Sequence, residues 1–206
     1  IGIFSNNLDE FFKVRYATVK RIALSGKKQK KLYKGPNATD LLQMITNKAI
    51  ELQEKSDLVI ESIIDDLKHE NIFFVDEKSI PKEFIEFINT FFIEKIQPQL
   101  EVVILNKKSK FPNLPDTSSF LTIKIKTKDE KIKFALIKLP NQIDRFIVLS
   151  KFEKKYIILV DDIIRFHLDE IFEIFAPKKM VANMIKISRD AELDFAYDIS
   201  KSYLEK

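Results

Sequence analysis

Apolar residues recur every three or four positions near the start of the chain. The stripe runs from Leu8 to Ala23 and predicts a first helix that ends at Ser25-Gly26. Asn7 stands directly before this stripe and suits an N-cap, because its side-chain oxygen can accept from backbone N–H groups of the first turn. Glu10 follows three residues later and completes the pattern of a capping box. The sequence therefore predicts a helix start at Asn7.

A second apolar stripe runs from Leu42 to Leu67. It predicts a helix of about thirty residues, capped by Asn37 or Thr39, which would be roughly 45 Å long. A helix of that length with a broad apolar face needs other helices to cover it. We therefore expect this part of the chain to form a helical hairpin or part of a bundle.

The pattern changes from helical to alternating after Asn71. Apolar and polar residues alternate through 121–126 and 132–136, which is the clearest strand signal in the chain. Together with 146–149, these segments predict an antiparallel meander with one face in water. Ser79 suits the cap of a third helix. Other patterns predict strands at 72–75, 100–105, 156–160 and 184–188, and helices at 163–172 and around Asp198.

The predicted fold class is α+β. We expect a helical domain at 1–71 and an α+β domain at 72–206 whose sheet is largely antiparallel. The first residue is isoleucine, and a helical pattern still runs at Lys206. These two observations lead us to expect a piece of a longer chain.

Composition excludes several kinds of site. The chain has 206 residues, of which 45% are apolar, so it can bury a real core. It has no cysteine, which excludes disulfides, thiolate metal sites and a thiol nucleophile. Its three glycines form no Walker or Rossmann nucleotide loop. No apolar window is long enough to predict a membrane span.

Charge is unevenly distributed along the chain. The net charge is +4, yet between Phe11 and Thr39 there are nine basic residues and no acidic one. A local positive field of this kind suits a polyanionic partner. The alternative is a solvated loop rich in lysine at 27–34. The nine residues are Lys13, Arg15, Lys20, Arg21, Lys27, Lys28, Lys30, Lys31 and Lys34.

The residues from Ile3 to Arg15, with their Asn-Leu-Asp-Glu-Phe core, resemble the signature near the N-terminus of the long, phospholipase-D-related class of polyphosphate kinase. The resemblance continues to Ile185–Glu192. It implies an N-terminal helical domain followed by a head domain, without the two phospholipase-D-like catalytic domains. It also implies that the whole enzyme transfers the terminal phosphate of ATP to a histidine and then to polyphosphate.

The resemblance also implies roles for particular residues. Asn7 would contact the adenine end of ATP, in addition to its interpretation as a cap. Arg189 could present its guanidinium fork to phosphate, although an ion pair at a strand end is the alternative. The side chains that could contact a polyanion are Lys13, Arg15, Lys20, Arg21 and Arg189.

Two histidines must be weighed because the family's reaction passes through a phosphohistidine. His69 follows the long helical stripe, and His167 is expected on the polar side of its helix. Neither has the flanking lysine and asparagine pattern of the catalytic histidine in phospholipase-D-like domains, so we expect both to be structural or surface residues. The acidic pairs 65–66, 161–162 and 169–170 are interpreted as caps and solvated faces, since adjacent residues on a helix do not face each other.

The expected partners follow from the same resemblance. They are ATP with Mg²⁺, whose ligands would lie in the catalytic domains, and polyphosphate. A homodimer or homotetramer is expected, in the cytoplasm and either free or attached peripherally to a membrane, and this part alone should be inactive. One alternative is a non-enzymatic module that binds an anionic polymer such as RNA, although the sequence contains no RNA-binding signature. The other alternative is a pure dimerisation scaffold.

Overall fold

The computed structural model describes residues 2–24, 37–106, 111–115, 118–187 and 189. The predicted basic loop 27–34, the stop at Ser25-Gly26 and the predicted helix around Asp198 lie outside these residues. The chain divides into two compact units, one that includes the residues up to Ile63 and one formed by Ile64–Ile187.

The first helix begins earlier than the sequence predicts. It comprises α1 (Gly2–Phe11), a π-helical turn (Phe12–Tyr16) and α2 (Ala17–Leu24). Asn7 therefore lies in the middle of α1, and the prediction of an N-cap and capping box at this residue is wrong. Residues before Asn7 are already helical, so the N–H groups that a cap would satisfy are bonded within the helix.

The long second helix, α3 (Ala38–His69), has 32 residues and is about 48 Å long. Asn37 caps it, as predicted, because its Oδ1 accepts from the backbone N–H of Thr39 at 3.0 Å. Past its end, Asn71 adopts a positive φ of 58°, which asparagine tolerates better than most residues. The apolar stripe is half-buried as far as Leu52, whereas Leu58, Val59 and Ile63 are exposed.

The α+β unit contains two sheets. A three-stranded sheet has the order β1-β6-β5, with β1 parallel to β6, and a four-stranded antiparallel sheet has the order β2-β4-β3-β7. The strands are β1 (Ile72–Val75), β2 (Glu101–Leu105), β3 (Ser119–Thr127), β4 (Ile132–Lys138), β5 (Phe146–Lys151), β6 (Lys154–Leu159) and β7 (Pro177–Lys186). The helices are α4 (Ile85–Phe91), α5 (Val160–Phe166) and α6 (Leu168–Ile171), with short 3₁₀ or π turns at Lys82–Phe84, Phe92–Ile96, Gln97–Gln99 and Glu173–Phe175.

The α+β fold class with a largely antiparallel sheet is confirmed, but the predicted meander is wrong in its third strand. β3 and β4 pair as predicted, whereas β5 joins β6 in the other sheet. Both edges of β4 are already occupied, by β2 and β3, so no edge remains for β5. Ser79 is not a helix cap either. Its hydroxyl bonds to the Asp76 carboxylate at 2.6 Å, and the helical segment begins after Pro81 without a side-chain cap.

The main core of this unit lies between the inner face of the four-stranded sheet and the helices. Ile123 and Ile125 of β3 are essentially inaccessible, and they belong to one buried cluster with Ile88 of α4 and Ile163 of α5. Burying a side chain of this size contributes about 1.5–3 kcal/mol. A smaller cluster on the outer face contains Leu114 and Phe120. The outer face is therefore covered near these two residues.

Candidate functional site

The residue with the sharpest predicted role, Asn7, lies on an exposed face of α1. Within the described residues, its side-chain amide makes no hydrogen bond, so both its donor and its acceptor face solvent. Ile3 and Phe11 lie one turn before and one turn after it, and their exposed fractions are 80% and 36%. This face therefore offers a free amide between two accessible apolar side chains.

An apolar groove borders the same helix. Leu8 and Phe11 of α1 line it together with Ile45, Ala49 and Leu52 of α3, and its volume is about 220 Å³. Phe11 belongs both to the groove and to the exposed face that carries Asn7. A flat aromatic ligand could lie on apolar surface here while the Asn7 amide pairs with its polar edge.

The basic residues of this helix do not converge on one point. Lys13 is half-buried and bonds to Asp9 at 2.8 Å. Arg21 is half-buried and donates to the Thr18 hydroxyl at 3.1 Å. Arg15 and Lys20 are exposed. The two exposed cations are thus the better placed to meet a polyanion.

Arg189, the remaining predicted contact residue, follows β7 and is half-buried. Its neighbours Asp190 to Glu192 lie outside the described residues. The interpretation of Arg189 as a phosphate ligand therefore stays a prediction.

A buried charge network lies at the start of α5, where the sequence predicts a solvated acidic pair. Arg165 donates to Asp162 at 2.6 Å and to Asp161 at 3.0 Å, and Arg145 approaches Asp161 at 3.4 Å. The two aspartates, Asp161 and Asp162, are 3% and 8% exposed, so the prediction of a solvated face is wrong for this pair. Burial raises the pKa of the Asp162 carboxyl to about 6, reinforced by the nearby Asp161 charge and opposed by Arg165.

A sequence signal for this network exists. The aspartates interrupt an apolar run, and Arg165 follows them at i+3 and i+4, the spacing at which helical side chains meet. A buried charge needs such a partner.

His167 is buried, not on a polar face as predicted. Its Nδ1 lies 2.8 Å from the carbonyl oxygen of Ile163 and its Nε2 lies 3.1 Å from Oδ1 of Asn89. A carbonyl can only accept, so Nδ1 carries a proton and donates to Ile163, while Nε2 pairs with the side-chain amide of Asn89. With both nitrogens engaged, His167 is unsuited to act as a nucleophile.

The described residues do not fit a metal site. No three histidine, aspartate or glutamate side chains among them are grouped closely enough to hold a cation. None of the helices within the described ranges has an apolar stretch that could cross a bilayer.

Comparisons with known proteins match the whole chain to one family. The polyphosphate kinase N-terminal domain matches residues 1–75, and the polyphosphate kinase middle domain matches residues 84–206. The polyphosphate kinase of Vibrio vulnificus (strain YJ016) is 33% identical over 214 residues, which cover 100% of this chain and 30% of the relative. That of Escherichia coli (strain K12) is 27% identical over 213 residues, with the same coverage of 100% and 30%.

The fold has a solved counterpart. The crystal structure of polyphosphate kinase from Porphyromonas gingivalis superposes with a TM-score of 0.72 and 26% identity, and the match covers 92% of this chain and 28% of that one. The chain thus spans about 30% of the length of the curated relatives. The resemblance of the Ile3–Arg15 signature is thereby confirmed, and the chain belongs to the polyphosphate kinase family, of which it contains the N-terminal and middle domains.

Proposed function

We propose that this chain is the N-terminal and head portion of an enzyme that transfers the terminal phosphate of ATP to polyphosphate. The observation that carries the proposal is the succession of two polyphosphate kinase domains along the chain. In this proposal a part of the enzyme outside this chain supplies the phosphohistidine and the ligands of Mg²⁺, as the family resemblance implies. As the resemblance implies, we place the enzyme in the cytoplasm, either free or attached peripherally to a membrane.

Asn7 contacts the adenine end of ATP in this proposal. Its exposed amide supports the role, because adenine presents both a donor and an acceptor at its polar edge. The groove beside Phe11 supplies apolar surface for the ring. Exposed Arg15 and Lys20 supply positive charge on the same continuous helix, with Lys13, Arg21 and Arg189 as further candidate contacts of the polyanion.

The experiment is the ATP KM of the full-length enzyme with Asn7→Ala and Asn7→Ser. Loss of a neutral hydrogen bond is worth about 0.5–1.5 kcal/mol, so we expect KM to rise about two- to tenfold in both variants. Asn6→Ala is the matched control, because it removes the same kind of side chain at the adjacent exposed position, and it should leave KM unchanged. An unchanged KM in both Asn7 variants would contradict the proposed contact between Asn7 and adenine.

The head also contributes to assembly as a homodimer or homotetramer. β2 is an edge strand of the four-stranded sheet, and its Val102, Val103 and Ile104 are about two-fifths exposed, at 39%, 38% and 41%. A strand edge with apolar side chains on both faces is a ready surface for pairing with another chain. This surface supports the oligomer that the family resemblance implies.

A further inference from the structure

One end of the four-stranded sheet carries a concentration of lysines. Residues 124–134 and 176–181 contain seven lysines and two carboxylates. Register brings the two segments together, since Lys126 of β3 lies directly opposite Lys179 of β7, and the backbone N–H of Lys128 donates to the carbonyl of Ala176 at 3.0 Å. Lys133 lies opposite Ile125 on the inner face of the sheet, with its Nζ over the Phe175 ring. We call the other six residues the lysine cluster: Lys124, Lys126, Lys128, Lys131, Lys178 and Lys179.

The two carboxylates of this region are already engaged. Glu130 accepts from Lys126 and from Lys178, and these hydrogen bonds hold the pKa of its carboxyl below the usual range. Asp129 pairs with Lys131 at 2.6 Å.

Surplus positive charge remains on this surface. Lys124, Lys128 and Lys179 are exposed and have no carboxylate partner among the described residues. Like charges directly opposite each other on neighbouring strands are unfavourable, as with Lys126 and Lys179. Glu130 offsets the charge of Lys126, whereas the charges of Lys124, Lys128 and Lys179 remain available to a bound polyanion.

The cluster continues into a cleft along the free edge of β7. This cleft has a volume of about 530 Å³, and Lys178 and Lys179 line it together with Lys78 and Arg165. β7 is an edge strand in the described sheet, and such an edge presents unpaired backbone N–H groups that can bind anions. Glu77 and Asp169 also line the cleft, while Arg165 is bonded to Asp161 and Asp162 and Lys178 to Glu130. Exposed Lys78 and Lys179 therefore supply the positive charge that the cleft offers to an anion.

We propose that the lysine cluster and the β7 cleft form one binding track for a linear chain of phosphates, namely polyphosphate. The choice of polymer rests on the proposed function. Lysine is a flexible point charge that neutralises phosphate without fixing its orientation, which suits a repetitive polymer. A nucleic acid strand would need successive aromatic platforms for its bases. None of the described residues that line the cleft is aromatic, and Phe134, opposite Lys124, is a single exposed ring beside the cluster.

The test measures binding of long-chain polyphosphate to the full-length protein and to the 206-residue chain, without ATP. The cluster variant combines Lys124→Gln, Lys128→Gln and Lys179→Gln. We expect its Kd to rise about tenfold, or about 1.4 kcal/mol. Because each phosphate contact in a flexible strand contributes about 0.7 to the salt dependence, the slope of log K against log salt should fall by about 2.

The matched control combines Lys82→Gln, Lys95→Gln and Lys155→Gln, three exposed lysines outside the cluster. It removes the same charge and should bind as the unaltered protein does. Equal losses in both variants would overturn the proposal, because they would show attraction by net charge alone. Tighter binding of a single-stranded RNA or of anionic lipid vesicles than of polyphosphate would overturn it as well.

The single variant Lys179→Gln distinguishes a loss of binding from a loss of folding. It should weaken binding while the melting temperature stays the same, since Lys179 is exposed and surface substitutions usually change stability little. A variant that melts normally and binds normally would contradict the track. Since this measurement involves no turnover, its failure is distinguishable from a failure of the proposed ATP-dependent activity.

Discussion

The imidazole ring of His167 lies parallel to the phenyl ring of Phe92, with ring centroids 3.9 Å apart and planes 5° apart. His167 directly follows α5, and Phe92 begins the π turn that follows α4, so the stacked pair joins two helical segments. Phe92 is fully buried and His167 is 6% exposed. The histidine is therefore part of the packed core and not of a reactive surface.

We expect His167→Ala to lower the free energy of unfolding by about 2–4 kcal/mol, because it removes a buried ring and leaves the Ile163 carbonyl and the Asn89 amide without a partner. Urea denaturation of the 206-residue chain measures this. His69→Ala is the control, since His69 is exposed at the end of α3, and it should change stability by no more than about 0.5 kcal/mol. Equal effects of the two substitutions would contradict the structural role.

The raised pKa of Asp162 predicts an unusual pH dependence. Its pKa is about 6 in the folded protein and about 3.9 in an unfolded chain, so the folded state binds more protons between these values. The contribution of the Asp162 carboxyl to the free energy of unfolding is therefore fully present below about pH 4 and is lost as the pH rises towards 6. The loss should amount to about 1–3 kcal/mol.

The measurement compares unfolding free energies of the unaltered chain and Asp162→Asn from pH 4 to pH 7. The difference between the two curves isolates this carboxyl from other titrating groups. The unaltered chain should lose stability relative to the variant as pH rises. Parallel curves would show that Asp162 titrates normally.

Two asparagines should respond oppositely to the same substitution. Asn37 caps α3, so Asn37→Ala should cost about 0.5–2 kcal/mol, and Asn37→Ser should restore most of it. Asn7 lies inside α1, where alanine is the better helix former, so Asn7→Ala should be neutral or stabilising by a few tenths of a kcal/mol, about 0.5 at most. Thermal melting of the three variants checks both expectations. A large loss of stability with Asn7→Ala would show that this residue does cap the helix.

The exposed edge of β2 predicts how the proposed oligomer is disrupted. Val103→Lys places a charge on an exposed strand position, and charged edge residues oppose pairing with another chain. We expect light scattering at a protein concentration on the order of tens of micromolar to give a lower molar mass for Val103→Lys than for the unaltered chain. Lys155→Gln on β6, an exposed position in the other sheet, is the control and should leave the mass unchanged. An unaltered assembly in Val103→Lys would place the interface elsewhere.

The sequence by itself determined the fold class, the long helix and most strand positions. Local signals suffice for these features. The Asn37 cap acts within one turn, and the alternation of Ile123 and Ile125 with lysine marks a half-buried strand whatever its neighbours. The Ile3–Arg15 signature likewise identified the family without any tertiary information.

Only the tertiary structure decided which strand edge β5 meets, which acidic pair is buried and where the lysines gather. Strand partners depend on which edges remain free after other strands have paired, and burial depends on what packs above a helix turn. Asp161 and Asp162 interrupt an apolar run and have Arg165 at helical spacing, but only the packing of the surrounding chain excludes water from them. Lys126 and Lys179 are far apart along the sequence, and they face each other because antiparallel register places β7 beside β3.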